Sequence, residues 1–283
     1  MPTSANSTLE TKPVAGTILG LVAGDGKLPA ILARSAKNMG YKIVAAALSE
    51  YAQAAVLPHC EKVLLISPGQ LGRNLKLMKQ ERVEKMVFIG KVPKLSILQN
   101  ISKLDWTAVR ELSKLPDFSD DTVQRAVGDI MELNGIKVLT QSEFLRECFP
   151  DYGVMTKRQP TAMEYADVEY GTRIAKEIAR LDIGQTVVVR NQMIVAIEGA
   201  EGTDETIKRA VQLAKGPVVV CKVARPNQDQ RFDIPAVGLN TLQSMVSDKP
   251  GGVLAVGAGE TLVVDRDEMV AFADEHGIAL VAV

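Results

Sequence analysis

Thr17-Ile18-Leu19-Gly20-Leu21-Val22-Ala23-Gly24-Asp25-Gly26-Lys27-Leu28-Pro29, running on to Gly40, decides how the first half of this chain folds. Thr17 to Ala23 is short and apolar and ends in a Gly-rich turn, which is how a strand buried on both faces reads. From Leu28 to Met39 the apolar residues recur at helical spacing, and Gly40 stands where a helix would close. The same alternation continues outward. Strands are expected at Lys42 to Ala47, Lys62 to Ile66 and Lys85 to Ile89, with helices at Glu50 to Val56 and Gln70 to Glu81. This order predicts a Rossmann-like parallel sheet covered by helices on both faces. Leu104 to Leu133 reads as helix, broken around Pro116 to Ser119, and Ile136 to Leu139 as one more strand.

A polar, Pro-bearing stretch follows, with Pro150-Asp151-Tyr152-Gly153 and Lys157-Arg158-Gln159-Pro160. It reads as an interdomain connection. The expected division is residues 1–150 as a nucleotide- or phosphate-binding domain with a tail at 1–15, a linker at 151–160, and a second, smaller α/β domain at 161–283. The second domain opens with a helix near Met163 to Arg180. Strands at Gln185 to Val189 and Met193 to Ile197 flank Arg190-Asn191-Gln192, the tight turn of a hairpin. Thr203 is a good N-cap for a helix from Asp204 to Ala214, and Pro217 to Lys222 reads as a strand. After a polar loop come a short helix near Leu239, strands near Val253 and Thr261, a helix from Arg266 to His276 and a last strand. The hairpin predicts a mixed sheet, so the fold class is α/β with a parallel sheet first and a mixed one second.

Length and charge narrow the function. A chain of 283 residues suits two domains, each with its own core. Lys and Arg total 33 against 34 for Asp and Glu, for a net charge of −1, and no long block of one sign interrupts that balance. Nucleic-acid binding rests on clustered positive charge, so no nucleic-acid partner is expected. Cys60, Cys148 and Cys221 lie far apart in no zinc-type pattern and read as buried reduced thiols. His59 and His276 have no spaced partner for a metal site or a triad. The opening residues lack the pattern of a signal peptide, and no apolar run approaches the ~18 residues needed to span a bilayer. The expectation is a cytoplasmic protein that could touch a membrane surface; the oligomeric state is not legible.

Three segments could carry chemistry. Gly24, Asp25, Gly26 and Lys27 lie where the first strand hands over to the first helix, where backbone N–H groups and the helix dipole favour a phosphate. The third glycine of a dinucleotide fingerprint is replaced by Pro29, so the turn reads either as a phosphate edge or as purely structural. Glu198, Glu201 and Asp204 place three carboxylates around a turn that also contains Thr203. Such a turn can bind Mg²⁺, hold a sugar hydroxyl or anchor a basic neighbour, or simply be a solvated N-cap. The segment from Lys222 to Pro235 holds Lys222, Arg225, Gln228, Asp229, Arg231 and Asp233 in a loop longer and more charged than a connector needs. Lys and Arg can clamp phosphate oxygens while a nearby Asp holds Mg²⁺ or orients water. Asp182 and Gln185 read as turn residues, and Asp265 as a helix cap.

Taken in order, Gly24-Asp25-Gly26-Lys27-Leu28-Pro29, Leu181-Asp182-Ile183-Gly184-Gln185, Glu201-Gly202-Thr203-Asp204, Arg225-Pro226-Asn227-Gln228-Asp229-Gln230-Arg231-Phe232-Asp233-Ile234-Pro235 and Asp265-Arg266-Asp267 resemble the bacterial LpxI-type UDP-2,3-diacylglucosamine pyrophosphatases. The likeness runs from about Thr17 to Val283. It implies a lipid A pathway hydrolase that uses Mg²⁺ and water to cleave a lipid-linked UDP-sugar into UMP and 2,3-diacylglucosamine 1-phosphate, with the substrate held between the two domains. It places the work in the cytoplasm, at the inner face of the inner membrane where lipid is met. On the resemblance, Asp233 is the first choice for the catalytic group and Mg²⁺ ligand, and Asp229 the second. Lys222, Arg225 and Arg231 would neutralise the pyrophosphate. Gly24 to Lys27, Gln228, Glu198, Glu201, Thr203 and Asp204 would complete substrate binding. The rival readings are another Rossmann-type nucleotide-sugar enzyme and a non-catalytic nucleotide-sugar or lipid-binding protein.

Overall fold

The computed structural model describes residues 16–91, 104–115, 120–226 and 228–283, with the side chains of 112, 120 and 121 left aside. The expected break at Pro116 to Ser119 and the tail at 1–15 lie outside the described residues. The chain forms two compact units, Met1–Phe144 and Leu145–Val283.

The first unit is built on five parallel strands, β1 (Ile18–Ala23), β2 (Lys42–Ala47), β3 (Lys62–Leu65), β4 (Lys85–Ile89) and β5 (Lys137–Val138), in the order β3-β2-β1-β4-β5. Helices α1 (Leu28–Asn38), α2 (Glu50–Val56) and α3 (Leu71–Gln80) follow the first three strands. Two more, α4 (Trp106–Leu112) and α5 (Asp120–Leu133), lie between β4 and β5. β1 is central and apolar throughout: Leu19, Leu21 and Ala23 are fully buried on one face, Gly20 is buried on the other, and α1 lays Leu32, Ala33 and Ala36 into the core. Each fully buried Leu contributes about 2 kcal/mol of transfer free energy. The strand order reverses between β1 and β4, the switch point where ligands of open α/β sheets bind. The Gly24 turn stands at that point.

The second unit carries a six-stranded sheet in the order β6-β13-β11-β9-β7-β8. Its strands are β6 (Gly153–Val154), β7 (Thr186–Arg190), β8 (Met193–Ile197), β9 (Val219–Lys222), β11 (Val253–Val256) and β13 (Ala279–Ala282). β9, β11 and β13 are parallel, while β6, β7 and β8 each pair antiparallel with a neighbour, so the sheet is mixed as expected. β10 (Ala236–Val237) and β12 (Leu262–Val263) form a separate parallel pair. The long helix α6 (Ala162–Arg180) covers one face. The helices α7 (Thr203–Ala214), α8 (Leu239–Met245) and α9 (Arg266–Glu275) cover the other. Side-chain alternation sorts β9 cleanly: Val219 and Cys221 pack on the α6 side, and Val220 on the side of Ile207 and Leu242. Lys222 follows Val220 in that alternation and turns toward α7.

Several boundaries differ from those read in the sequence. Residues 151–160, expected as a linker, are built into the second unit. Gly153 and Val154 pair with β13, Met155 N–H donates to Leu280 O at 2.9 Å, and Arg158 grips Glu164 at 2.6 Å while reaching Gly252 O. Polar composition had hidden the strand because only two residues pair. Thr203 is not the N-cap of α7 but its first residue. Gly202, at φ +83°, makes the entry turn and releases the Thr203 hydroxyl for another partner. Asp265 caps α9 by position only, with φ +53° and no side-chain capping bond. Cys148 and Cys221 are buried as expected, whereas Cys60 is half-buried. The hairpin turn narrows to Asn191 and Gln192, both at positive φ, and the buried Asp167 of α6 accepts their N–H groups at 2.8 and 2.6 Å.

Candidate functional site

The Gly24 turn is held mainly by its own sheet. Gly24 N–H donates to Ile89 O at 2.8 Å, and Asp25 and Lys91 exchange backbone bonds at 2.9 Å each. A methyl at Gly24 would stand 2.5 Å from Lys91 O, so this glycine serves the close approach of two chains. The Asp25 carboxylate accepts from the Ser49 hydroxyl, and Ser49 caps α2 by accepting Ala52 N–H at 3.0 Å. Two of the N–H groups read as phosphate donors are therefore committed to the fold. Gly26, at φ +110° with nothing near its α-carbon face, and Lys27 at the head of α1 keep the open side of the turn.

In the second unit the residues read from sequence gather at one end of the sheet. Thr186 of β7, Lys222 of β9 and Val256 of β11 lie in one row of paired residues. The segments leaving β9 and β11, and the start of α7, converge there. Lys222 is 7% exposed, and its ammonium donates to Thr203 Oγ1 at 3.1 Å and to the Ala236 carbonyl at 3.0 Å. The Thr203 hydroxyl donates to Glu198 Oε1 at 2.8 Å, and Glu198 Oε2 accepts Gln185 N–H at 3.2 Å.

The three acids of the Glu198 turn diverge. Glu198 points inward. Glu201 pairs with Arg209 at 2.7 Å and accepts Gly199 N–H at 3.1 Å. Its own backbone N–H and the Arg209 guanidinium hold the Glu201 carboxyl below the usual range. Asp204 accepts from the Thr241 hydroxyl at 3.2 Å, tying α7 to α8. Among the described residues no three His, Cys, Asp or Glu side chains come together as a metal site. Of the readings open for this turn, the structure shows basic-neighbour anchoring at Glu201 and fold-holding contacts at the other two acids.

The loop after β9 is internally braced. Arg225 N–H donates to Gln228 Oε1 at 3.1 Å, and Gln228 Nε2 donates to Asp233 Oδ2 at 2.5 Å. Asp233 N–H returns to Asp229 O at 3.0 Å. Asp229 takes both Nε and Nη2 of Arg231, at 3.1 and 2.8 Å, a paired, charge-assisted contact. Arg225 Nη1 reaches Asp182 at 2.9 Å, and its Nε is buried without a hydrogen-bond partner among the described residues. Asp182, read as a turn residue and at φ +55°, is thus also the anchor of Arg225; the two stand 43 positions apart, so no local spacing rule shows the pairing. Beyond the loop, Leu262 N–H donates to Pro235 O at 2.8 Å, so β12 fixes the chain two residues after Asp233.

The result is a half-buried patch where Asp233, Asp229, Arg225, Arg231 and Gln228 share one loop above a buried Lys222. Asp233 forms no ion pair among the described residues, and its second carboxylate oxygen has no hydrogen-bond partner there. Mg²⁺ is commonly held by one or two carboxylates together with waters and substrate phosphates. The donor set fits that shared mode and does not fit a cage made by protein alone.

Comparison with known proteins gives the family of the chain. The family model of the LpxI N-terminal domain matches residues 18–148, and that of the LpxI C-terminal domain matches residues 151–281. The chain belongs to the LpxI family. Within that family it is 30% identical, over 94% of its own length and 97% of the relative's, to the UDP-2,3-diacylglucosamine pyrophosphatase LpxI of Caulobacter vibrioides. A partial likeness, 30% over 46% of the chain, runs to 24% of the bifunctional purine biosynthesis protein PurH of Brucella ovis. Among solved structures, N5-carboxyaminoimidazole synthetase from Staphylococcus aureus overlaps 70% of the chain and 45% of its own, at 17% identity and a TM-score of 0.25, too slight a likeness to bear on the LpxI site. No helix among the described residues is long and apolar enough to cross a membrane.

Proposed function

We propose that this LpxI-family chain hydrolyses the pyrophosphate bond of UDP-2,3-diacylglucosamine, giving UMP and 2,3-diacylglucosamine 1-phosphate in lipid A biosynthesis. The observation that carries this reading is the charged loop at Arg225 to Asp233, intact and anchored at the strand ends, in a chain alike from end to end to a pyrophosphatase of that name. Cleaving a phosphoric anhydride calls for charge neutralisation and an oriented water more than for an unusual base. Asp233 orients the attacking water, with Gln228 fixing the rotation of its carboxylate. Arg225 and Arg231 face the phosphate oxygens, and the buried Lys222 adds positive potential from below. Asp229 holds Arg231 in line and is the second carboxylate of the loop. Mg²⁺, when held by Asp233 with Asp229 as its neighbour, would supply further neutralisation of the phosphates and a more acidic water. Gly26 and Lys27 receive a phosphate or nucleotide edge in the first unit. The reaction belongs in the cytoplasm, where the acylated substrate is drawn from the inner face of the inner membrane.

Incubation of the purified protein with UDP-2,3-diacylglucosamine and Mg²⁺, with UDP-N-acetylglucosamine as the unacylated control, tests this. UMP and the acylated sugar 1-phosphate are expected from the first substrate in Mg²⁺ and neither after chelation. Tight binding of the substrate with no product under any divalent cation would mark a binding protein instead.

A further inference from the structure

We propose that Thr203 is a positioning residue for this reaction, acting on Asp233 through Lys222 without touching the substrate. The inference deepens the hydrolase reading and rests on it. Four groups stand in a directed chain. The Glu198 carboxylate accepts the Thr203 hydroxyl proton at 2.8 Å, which turns a Thr203 lone pair toward Lys222 Nζ at 3.1 Å, and Lys222 in turn donates to Ala236 O at 3.0 Å. The direction is forced at each link. A carboxylate only accepts and an ammonium only donates, so a hydroxyl between them must donate to the first and accept from the second.

The far end of the chain is the functional one. Ala236 lies three residues after Asp233, in β10, and its neighbour Pro235 is held from the other side by Leu262 N–H at 2.8 Å. Lys222 and Leu262 therefore clamp consecutive carbonyls just beyond the catalytic aspartate. Of the side chains in the chain, Thr203 can lose its hydrogen-bonding group without removing a charge, and the Ala236 acceptor is a backbone carbonyl that no side-chain change removes. Glu198 and Lys222 are 8% and 7% exposed, so the pull along the chain acts where water screens it little. Gly202 makes the geometry possible, since its positive φ puts Thr203 inside the first turn of α7 with its hydroxyl facing the strand ends.

The test is a comparison of Thr203→Val, which keeps the shape and removes the hydroxyl, with Thr203→Ser, which keeps the hydroxyl. Removing a group that orients a catalytic group typically costs about 10- to 100-fold in activity. For Thr203→Val, kcat is expected to fall by that factor, with KM for UDP-2,3-diacylglucosamine changed less than about threefold, and Thr203→Ser is expected to restore most of kcat. A rise in KM at constant kcat would make Thr203 a substrate contact and overturn the proposal, as would unchanged kinetics. Amide exchange read by mass spectrometry supplies an arm that needs no turnover. Residues 228–237 should exchange faster in Thr203→Val than in the parent, and like the parent in Thr203→Ser. Faster exchange in Thr203→Val, when the parent itself shows no activity, would leave the clamp standing and remove the hydrolase reading. Equal exchange in all three proteins would remove the clamp whatever the activity. If Thr203→Val does not fold, Glu198→Gln, which keeps an acceptor but not the charge, must show the same changes in smaller degree, and its failure to do so would equally overturn the proposal.

Discussion

Adding one methyl group at Gly171 tests how tightly α6 seats on the strand that carries Lys222. The β-carbon of an alanine there would stand 2.6 Å from Cys221 Sγ and 2.9 Å from Val189 Cγ2, inside any normal contact. Overpacking of a sealed core costs about 1–3 kcal/mol, against about 1 kcal/mol gained in helix propensity when Gly becomes Ala. Gly171→Ala should therefore destabilise the second unit by up to about 2 kcal/mol, a fall of up to roughly 6 °C in its Tm. Cys221 supplies the decisive control, because the tighter of the two clashes is with its sulfur. Alone, Cys221→Ala empties a buried site and loses a weak bond to Val168 O, costing about 1 kcal/mol. In the Gly171→Ala background the same change removes the nearer of the two clashing atoms and leaves Val189 Cγ2, so it should cost less than it does alone. Urea denaturation of the four proteins of the cycle, followed by exchange at residues 168–180 and 219–223, reads the coupling directly. Additive effects, or a Gly171→Ala protein more stable than the parent by the helix-propensity gain, would refute close seating of α6 on β9.

Two further outcomes follow from the same physics. Burial alone would raise the Glu164 carboxyl, but the Thr161 backbone N–H and Arg158 outweigh it and hold it below the usual range. A depressed carboxylate stabilises the fold above its unfolded pKa, and that contribution fades as pH falls through the folded value. Glu164→Gln should thus cost about 1 kcal/mol at pH 7, allowing for screening of a partly solvated pair, and the gap to the parent should close as the pH falls below about 4 in thermal melts. For the thiols, burial pushes Cys60 up to about 11 and Cys221 to about 12. At pH 8 roughly a thousandth of Cys60 is thiolate, against about a quarter for a free thiol, so iodoacetamide should label the native protein slowly and Cys221 only after urea is added.

Much of this molecule is legible in its sequence, for reasons that can be named. The parallel sheet of the first unit follows from Thr17 to Gly40 because a doubly buried strand must be apolar throughout and a turn at its end must be glycine-rich. The hairpin in the second unit follows from two apolar runs around Asn191 and Gln192. What escaped was whatever depends on a distant partner. β6 is two residues long and pairs with a strand more than a hundred positions away, so residues 151–160 read as a connection. Asp167 looks like any helical surface acid until the hairpin turn is placed over it.

The candidate site divides in the same way. The loop from Lys222 to Pro235 stands out locally by its length and charge, and its residues do lie together. The Glu198 to Asp204 cluster stands out equally, yet its three acids face three directions, because Glu198 leaves the end of β8, Glu201 lies in the turn and Asp204 lies in the first turn of α7, each with a different neighbour. Close spacing of carboxylates in a sequence does not show convergence. At Gly24 the glycine signal left open a phosphate edge or a purely structural turn, and the structure shows this glycine making room for Lys91.

The central claim, that Asp233 stands at the reacting centre of a pyrophosphatase, is tested most directly by ³¹P NMR of UDP-2,3-diacylglucosamine incubated with Mg²⁺ and either the parent protein or Asp233→Ala. The expected result is appearance of the UMP and sugar 1-phosphate resonances with the parent and their near absence with the variant, at equal folded protein. Equal rates in the two proteins, or substrate bound by both with no new resonance, would contradict it.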